Sequence, residues 1–195
     1  MFNPKYTITN KLLSNIKHIA EIVTDLNSHS FPKVVLFEME CRAREISAYS
    51  STSIEGNPLP LTEVKKILKN KPEFIRDSER EVLNYNKALM ELNKLIKAEK
   101  IYLNINWLEK IQKMVTNGLI EEYHSGYIRK EPVFVNDPRI QKTIYWPPDH
   151  QEVLSLLKDL FDFLKKNISA VDPLILAGIF YKQFIIIHPF IDGNG

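Results

Sequence analysis

One stretch constrains this chain more than any other. From Leu174 to Ile187 the sequence is apolar nearly all round, with Leu174, Ile175, Leu176, Ala177, Ile179, Phe180, Phe184, Ile185, Ile186 and Ile187. Asp172-Pro173 opens it as an N-cap followed by proline at the first helical position, where the fixed φ of proline suits the helix. A helix without a polar face needs cover on several sides, so the rest of the chain must supply the elements that pack around it. Lys182 and Gln183 interrupt the run, and no apolar stretch is long enough to span a bilayer.

The other elements read as helices. Asn10 to Leu26 carries Leu12, Leu13, Ile16, Ile19, Ala20 and Val23 at helical spacing. Val34 to Ile54 is a long helix with Leu36, Met39, Ala43, Ile46 and Ser50 along one side, stopped by Gly56 with Pro58 and Pro60 beyond. Leu61–Leu68 (with Thr62 as its cap), Glu73–Ala98 and Ile105–Glu121 follow. Asp149 begins another, reaching about Lys166, with Glu152 at capping-box spacing. Between them the pattern changes. Pro132-Val133-Phe134-Val135 and Thr143-Ile144-Tyr145-Trp146 flank the turn signal Asn136-Asp137-Pro138, which predicts a β-hairpin. The fold class is therefore all-α, a helical bundle with one inserted hairpin and no internal repeat.

Composition narrows the setting. Twenty-six basic and 24 acidic residues leave a net charge of +2. That balance gives no overall attraction to nucleic acid or to an anionic membrane. The single cysteine, Cys41, cannot form an intrachain disulfide, which suits a reducing compartment. Met1-Phe2-Asn3-Pro4-Lys5-Tyr6 does not resemble a signal peptide. The expectation is a cytoplasmic protein with no membrane or nucleic-acid partner. A homo-oligomer stays open, with no specific feature to support it.

The chemistry lies in His188-Pro189-Phe190-Ile191-Asp192-Gly193-Asn194-Gly195. A histidine directly after a buried helix is well fixed, and histidine is the usual proton carrier near neutral pH. Phe190 can anchor the loop in the core. Asp192 offers a hard oxygen suited to Mg²⁺, which commonly takes few protein carboxylates and the substrate's phosphates. Gly193-Asn194-Gly195 can turn backbone N–H groups inward as an anion nest. A base, a metal ligand and a phosphate cradle within eight residues point to phosphoryl-group chemistry.

This ordered set resembles the signature loop of the Fic family, His-x-Phe-x-Asp/Glu-Gly-Asn-Gly-Arg. The resemblance implies a Fic-type helical bundle with a hairpin flap. It also implies transfer of AMP from ATP to a Ser, Thr or Tyr hydroxyl of a target protein. His188 would be the general base, Asp192 would hold Mg²⁺ on the phosphates, and Gly193, Asn194 and Gly195 would bind phosphates through backbone and amide groups. The family's next arginine binds the terminal phosphate and has no counterpart among the 195 residues. The chain as it stands is accordingly expected to be inactive or severely impaired as a transferase.

Two further segments fit the same family. Ser51-Thr52-Ser53-Ile54-Glu55-Gly56-Asn57 resembles its inhibitory motif, Ser/Thr-x-x-x-Glu-Gly/Asn, through Ser51, Glu55 and Gly56. Glu55 would then block productive placement of the ATP γ-phosphate. Gly126-Tyr127-Ile128-Arg129, Val133-Phe134-Val135 and Pro147-Pro148 are similar to the stretch ahead of its flap, whose edge could bind an extended target segment by β-addition. The resemblance divides the chain into an N-terminal helical region over 1–60, with the inhibitory helix at about 34–56, and a catalytic core over 61–195, incomplete at its C-terminus. Two other functions compete: a phosphodiesterase that removes AMP from a modified protein, and a non-catalytic nucleotide-sensing module.

Overall fold

The computed structural model describes residues 2–98, 103–137, 140 and 142–195. Among them the helices are α1 (Asn10–Ser28), α2 (Lys33–Ile54), α3 (Leu61–Lys69), α4 (Asp77–Lys97), α5 (Ile105–Val115), α6 (Val153–Asn167) and α7 (Pro173–Ile187). Strands β1 (Val135–Asp137) and β2 (Lys142–Tyr145) lie between α5 and α6 and pair antiparallel. The expected helical bundle with an inserted hairpin is what the chain forms.

Two packing centres hold it. Val153, Leu157, Leu160, Phe161 and Leu164 recur at helical spacing on α6 and are buried against Leu176 and Ile187 of α7. Phe180 of α7 packs on both groups of buried residues. The second centre joins Ala48 of α2, Val64 of α3 and Val82 of α4. Short spacing between small and branched side chains there lets the C-terminal half of α2 lie close to α4. That contact carries the end of α2 toward the loop after α7.

Several boundaries differ from the sequence reading, each for a local reason. On α2 the expected face is wrong: Leu36, Met39 and Ile46 are exposed, and Ala48 and Thr52 are the buried residues. Helix α1 buries no residue at all. Helix α7 is only partly covered, with Leu174 and Tyr181 exposed. Helix α3 is capped by Pro60 rather than Thr62, without a side-chain bond. Helix α4 starts at Asp77, because Glu79 reaches back to accept the Arg76 backbone N–H at 2.9 Å. Helix α5 stops at Val115. The Thr116 hydroxyl bonds the Gln112 carbonyl and meets the Ser125 hydroxyl, both at 2.9 Å, and Gly118 follows at φ +70°.

Helix α6 starts at Val153 rather than Asp149. Asp149 accepts from the Gln151 N–H at 2.8 Å, so it makes a turn, and Glu152 becomes the cap. In the hairpin, Asn136 and Asp137 belong to β1 rather than to the turn, opposite Thr143 and Lys142. The Thr143 hydroxyl donates to Asn136 Oδ1 at 2.8 Å across the pair. Pro138 of the expected turn lies outside the described residues.

Core and arm should respond differently to truncation. Leu157→Ala, at a fully buried position, is expected to cost about 2–5 kcal/mol in urea unfolding. Leu13→Ala, on α1 and 52% exposed, should stay within about 0.5 kcal/mol. Equal losses would contradict this assignment of the core.

Candidate functional site

His188 caps α7 in the left-handed region, at φ 49° and ψ 63°. It is the one non-glycine residue with positive φ among the described residues. That conformation costs an L-residue roughly 1–2 kcal/mol, so something must hold it. The holder is Arg129, whose residue is only 3% exposed. Its Nε donates to the His188 carbonyl at 2.7 Å, and its Nη2 to the Pro148 carbonyl at 2.6 Å and the Ile187 carbonyl at 3.4 Å. Its Nη1 donates to the Glu131 carbonyl at 3.2 Å, and its backbone N–H to the Pro189 carbonyl at 2.9 Å. A helix leaves its last carbonyls without internal partners. One guanidinium satisfies two of them here and ties the histidine turn to the base of the hairpin. The Tyr145 hydroxyl adds a bond to the Ile186 carbonyl at 2.8 Å.

The His188 imidazole sits below the usual histidine range. Burial is the main cause, and nearby Arg129 adds to it; the Ile185 carbonyl and the Asp192 carboxylate oppose it. Its Nδ1 is buried and has no hydrogen-bond partner. The ring is therefore mainly neutral at pH 7 and able to accept a proton.

The loop beyond it is closed by its own residues. Phe190 is buried. Asn194 Oδ1 accepts from the Phe190 N–H and Asn194 Nδ2 donates to the Phe190 carbonyl, both at 2.9 Å. Gln112 of α5, also buried, donates to the Asp192 carbonyl at 3.1 Å and accepts the Gly126 N–H. Gly193 has φ +72°, and a β-carbon there would come within 2.8 Å of Thr116 Cγ2. Only glycine fits that approach. The Gly193 N–H is taken by Asp192 Oδ1 at 2.7 Å.

The Asn194 amide also has a structural task that the sequence reading did not include: its Oδ1 and one Nδ2–H close the loop on Phe190. Asp192 fits the expected cation as a single carboxylate with one oxygen bonded to its own loop. Among the described residues no group of three His, Cys, Asp or Glu side chains converges as a protein-built metal site. An Mg²⁺ here would take most of its ligands from phosphates and water, a common arrangement for that ion.

Glu55 comes to this loop from the other side. It caps α2, with Gly56 next at φ +94°. Its carboxylate lies so close to Gly195 that a β-carbon there would overlap it. Partial burial, then the Asp192 and Glu81 carboxylates, raise its pKa above the ordinary 4.5. A cleft of about 580 Å³ is lined by Ser51, Glu55, Glu81, Asp192, Gly193 and Gly195. Ser51 donates to the Tyr85 hydroxyl at 2.9 Å on its wall.

The structure therefore brings Ser51, Glu55, Asp192 and Gly193–Gly195 into one cleft, with His188 at the start of the same loop. Gly56 shapes the turn without lining the cleft. Val133, Phe134 and Val135 lie ahead of and at the start of β1, where Phe134 packs edge to face on Trp146 at 4.6 Å and both are exposed. Gln112 and Thr116 were missed by sequence reasoning, because a lone polar residue on a predicted helix gives no signal. Arg129 was seen only as part of the Gly126–Arg129 match.

Comparison with known proteins places this geometry. The Fic/DOC family model matches residues 102–195. The chain is 29% identical over 96% of its length to protein adenylyltransferase fic-1 of Caenorhabditis briggsae, and 30% identical over 75% to that of Caenorhabditis elegans. It spans 37% and 28% of those two proteins. A solved Fic family protein from Desulfovibrio desulfuricans superposes on 99% of the chain with a TM-score of 0.77 and 25% identity, the chain covering 56% of it. Fic-1 from C. elegans matches 95% of the chain with a TM-score of 0.69 and 26% identity, the chain covering 55% of it.

Removing the clamp should be costly. Arg129→Ala leaves several buried carbonyls without a donor, and a loss on the order of 3 kcal/mol is expected in chemical unfolding. Arg129→Lys should recover only part of it, since an ammonium cannot span the same fork. A change below about 0.5 kcal/mol for Arg129→Ala would show that the clamp does not hold the turn.

Proposed function

This chain is a Fic-domain protein, and we propose that it transfers AMP from ATP to a hydroxyl of a target protein, restrained by Glu55. The observation that carries the reading is the Glu55 carboxylate lying on Gly195, beside Asp192, at the loop that begins with His188. The curated relatives named protein adenylyltransferases support the reaction class.

The chemistry follows from the residues. The target hydroxyl oxygen attacks the α-phosphorus, and neutral His188 takes its proton. The bond from that phosphorus to the β-phosphate bridging oxygen breaks, and pyrophosphate leaves. The protein's part is positioning and placement of charge. Once Glu55 is displaced, the backbone N–H groups of Asn194 and Gly195 would meet the anionic oxygens. Mg²⁺ held by Asp192 would supply charge neutralisation on the phosphates. Proton acceptance by a placed base contributes about 10²–10⁴ in rate. The hairpin, whose base is bonded to the His188 turn through Arg129 and Tyr145, would present the target segment.

Glu55 opposes this arrangement in two ways. Its carboxylate occupies space at Gly195, and its charge faces the same region that phosphates need. The raised pKa of Glu55 also suits a second reading: a carboxyl that orients water for removal of AMP from modified protein. A pure nucleotide sensor would need neither the neutral His188 nor the buried arginine that fixes it.

The test uses the natural full-length protein with Mg²⁺ and ATP labelled at the α-phosphate. Glu55→Gly should raise label on protein at least tenfold, and His188→Ala should abolish it. No transfer by Glu55→Gly under conditions where ATP binds, together with release of AMP from modified protein by the wild type, would favour the second reading. The pH profile gives an independent check. Burial lowers the His188 pKa, so the base form is present above it and is lost as pH falls through it. Transfer by Glu55→Gly should therefore persist through the ordinary histidine value of about 6.5 and fall only at lower pH. A limb falling already at pH 7.5 would contradict His188 as the base.

A further inference from the structure

The residue after the Glu55-Gly56 pair is held more tightly than either. Asn57 is buried, at 9% exposure, in a turn whose neighbours Gly56 and Pro58 are exposed. All of its side-chain polar atoms are engaged. Nδ2 donates to the Ser78 carbonyl and to Glu81 Oε2, both at 2.8 Å, and Oδ1 accepts the Leu59 N–H at 3.0 Å. Its backbone N–H closes the end of α2 on the Thr52 carbonyl at 3.0 Å. That bond and the left-handed Gly56 make a Schellman-type helix stop. The stop fixes the direction in which the chain leaves α2, and the amide bolts it to the first turns of α4. Glu55 has no comparable anchor of its own among the described residues. Its approach to Gly195 depends on where the turn is pinned.

From this geometry we infer that Asn57 is the positioning residue of the Glu55 restraint, a latch that joins the end of α2 to Ser78 and Glu81 of α4 and so keeps the Glu55 carboxylate over Gly195. Asn57 touches neither the loop nor the space a nucleotide would fill. It acts through Glu55. The inference rests on the reading of Glu55 as a restraint. Glu81 has two contacts with the device: it accepts from Asn57, and its carboxylate faces Glu55 from α4 as Asp192 does from the loop. The latch thus holds two like-charged groups near each other, so loosening it lets Glu55 swing into solvent.

The test combines two readouts in the natural full-length protein. In the label-transfer assay, Asn57→Ala should raise AMP transfer at least fivefold, and should change it less than twofold when Glu55→Gly is already present. Asn57→Asp should also release the restraint, because a carboxylate cannot donate to the Ser78 carbonyl and its charge faces Glu81. Lower transfer in both backgrounds, or a rise of equal size in both, would overturn the latch. The second readout needs no activity: the backbone ¹⁵N–¹H resonance of Gly195, on which the Glu55 carboxylate lies, should shift in Asn57→Ala as it does in Glu55→Gly. An unmoved Gly195 resonance in a folded Asn57→Ala protein overturns the proposal. If Glu55→Gly fails to raise transfer while Asn57→Ala still shifts that resonance, the reading of Glu55 fails and the latch stands.

Discussion

The structure turns on a buried guanidinium at the carbonyl end of one helix. Helix α7 ends at a histidine in a conformation that L-residues avoid. Arg129 makes that end tolerable by donating to the His188 and Ile187 carbonyls and, on its other side, to Pro148 and Glu131. Four carbonyls therefore share one side chain. Burial draws the arginine below its ordinary range, with Asp149 and Tyr145 countering, and it remains charged because a guanidinium starts so high. The same cation disfavours a second positive charge on His188. The group that fixes His188 in space thus also helps keep it neutral.

From that fixed start the loop has little freedom. Asn194 closes it on Phe190, Gln112 holds the Asp192 carbonyl, and Thr116 leaves room only for glycine at 193. Such closure matters because an anion site built from backbone N–H groups works only if those groups are already aimed. The two centres of the fold meet here. Helices α5 and α7 supply the loop and its supports, and α2, resting on α3 and α4, supplies Glu55. His188 and Glu55, the proposed base and its proposed restraint, thus meet at one loop from distant parts of the sequence.

Much of this was legible in the sequence, and the failures are informative. The ordered motif from His188 to Gly195 and the Ser51–Gly56 motif located the cleft residues, since each needs a residue type that its backbone or chemistry dictates. The helices were readable from periodicity, as was the hairpin. What the pattern hid was contact at a distance. Asn194 looks like a phosphate ligand in the motif, and its amide is also engaged four residues away. Leu36, Met39 and Ile46 form a plausible buried stripe, yet the close α2–α4 approach favours the small Ala48 and Thr52 instead. Gln112 and Arg129 act through carbonyls, and nothing in their own sequence neighbourhoods advertises those partners. Helix ends were misplaced wherever a side chain competed for the first or last backbone group, as at Arg76, Thr116 and Asp149.

Among the described residues no helix is long and apolar enough to cross a membrane, and the open surfaces of α1, α2 and α7 are apolar in part. Glu55 lies on Gly195, where the proposed reaction would need a nucleotide's phosphates. The backbone ¹⁵N–¹H resonance of Gly195 reports on that point directly, in wild type and Glu55→Gly, before and after Mg²⁺ and ATP. Glu55→Gly alone should shift this resonance, and nucleotide should shift it further in the variant than in wild type. A Gly195 resonance indifferent to Glu55, with equal nucleotide response in both proteins, would contradict it.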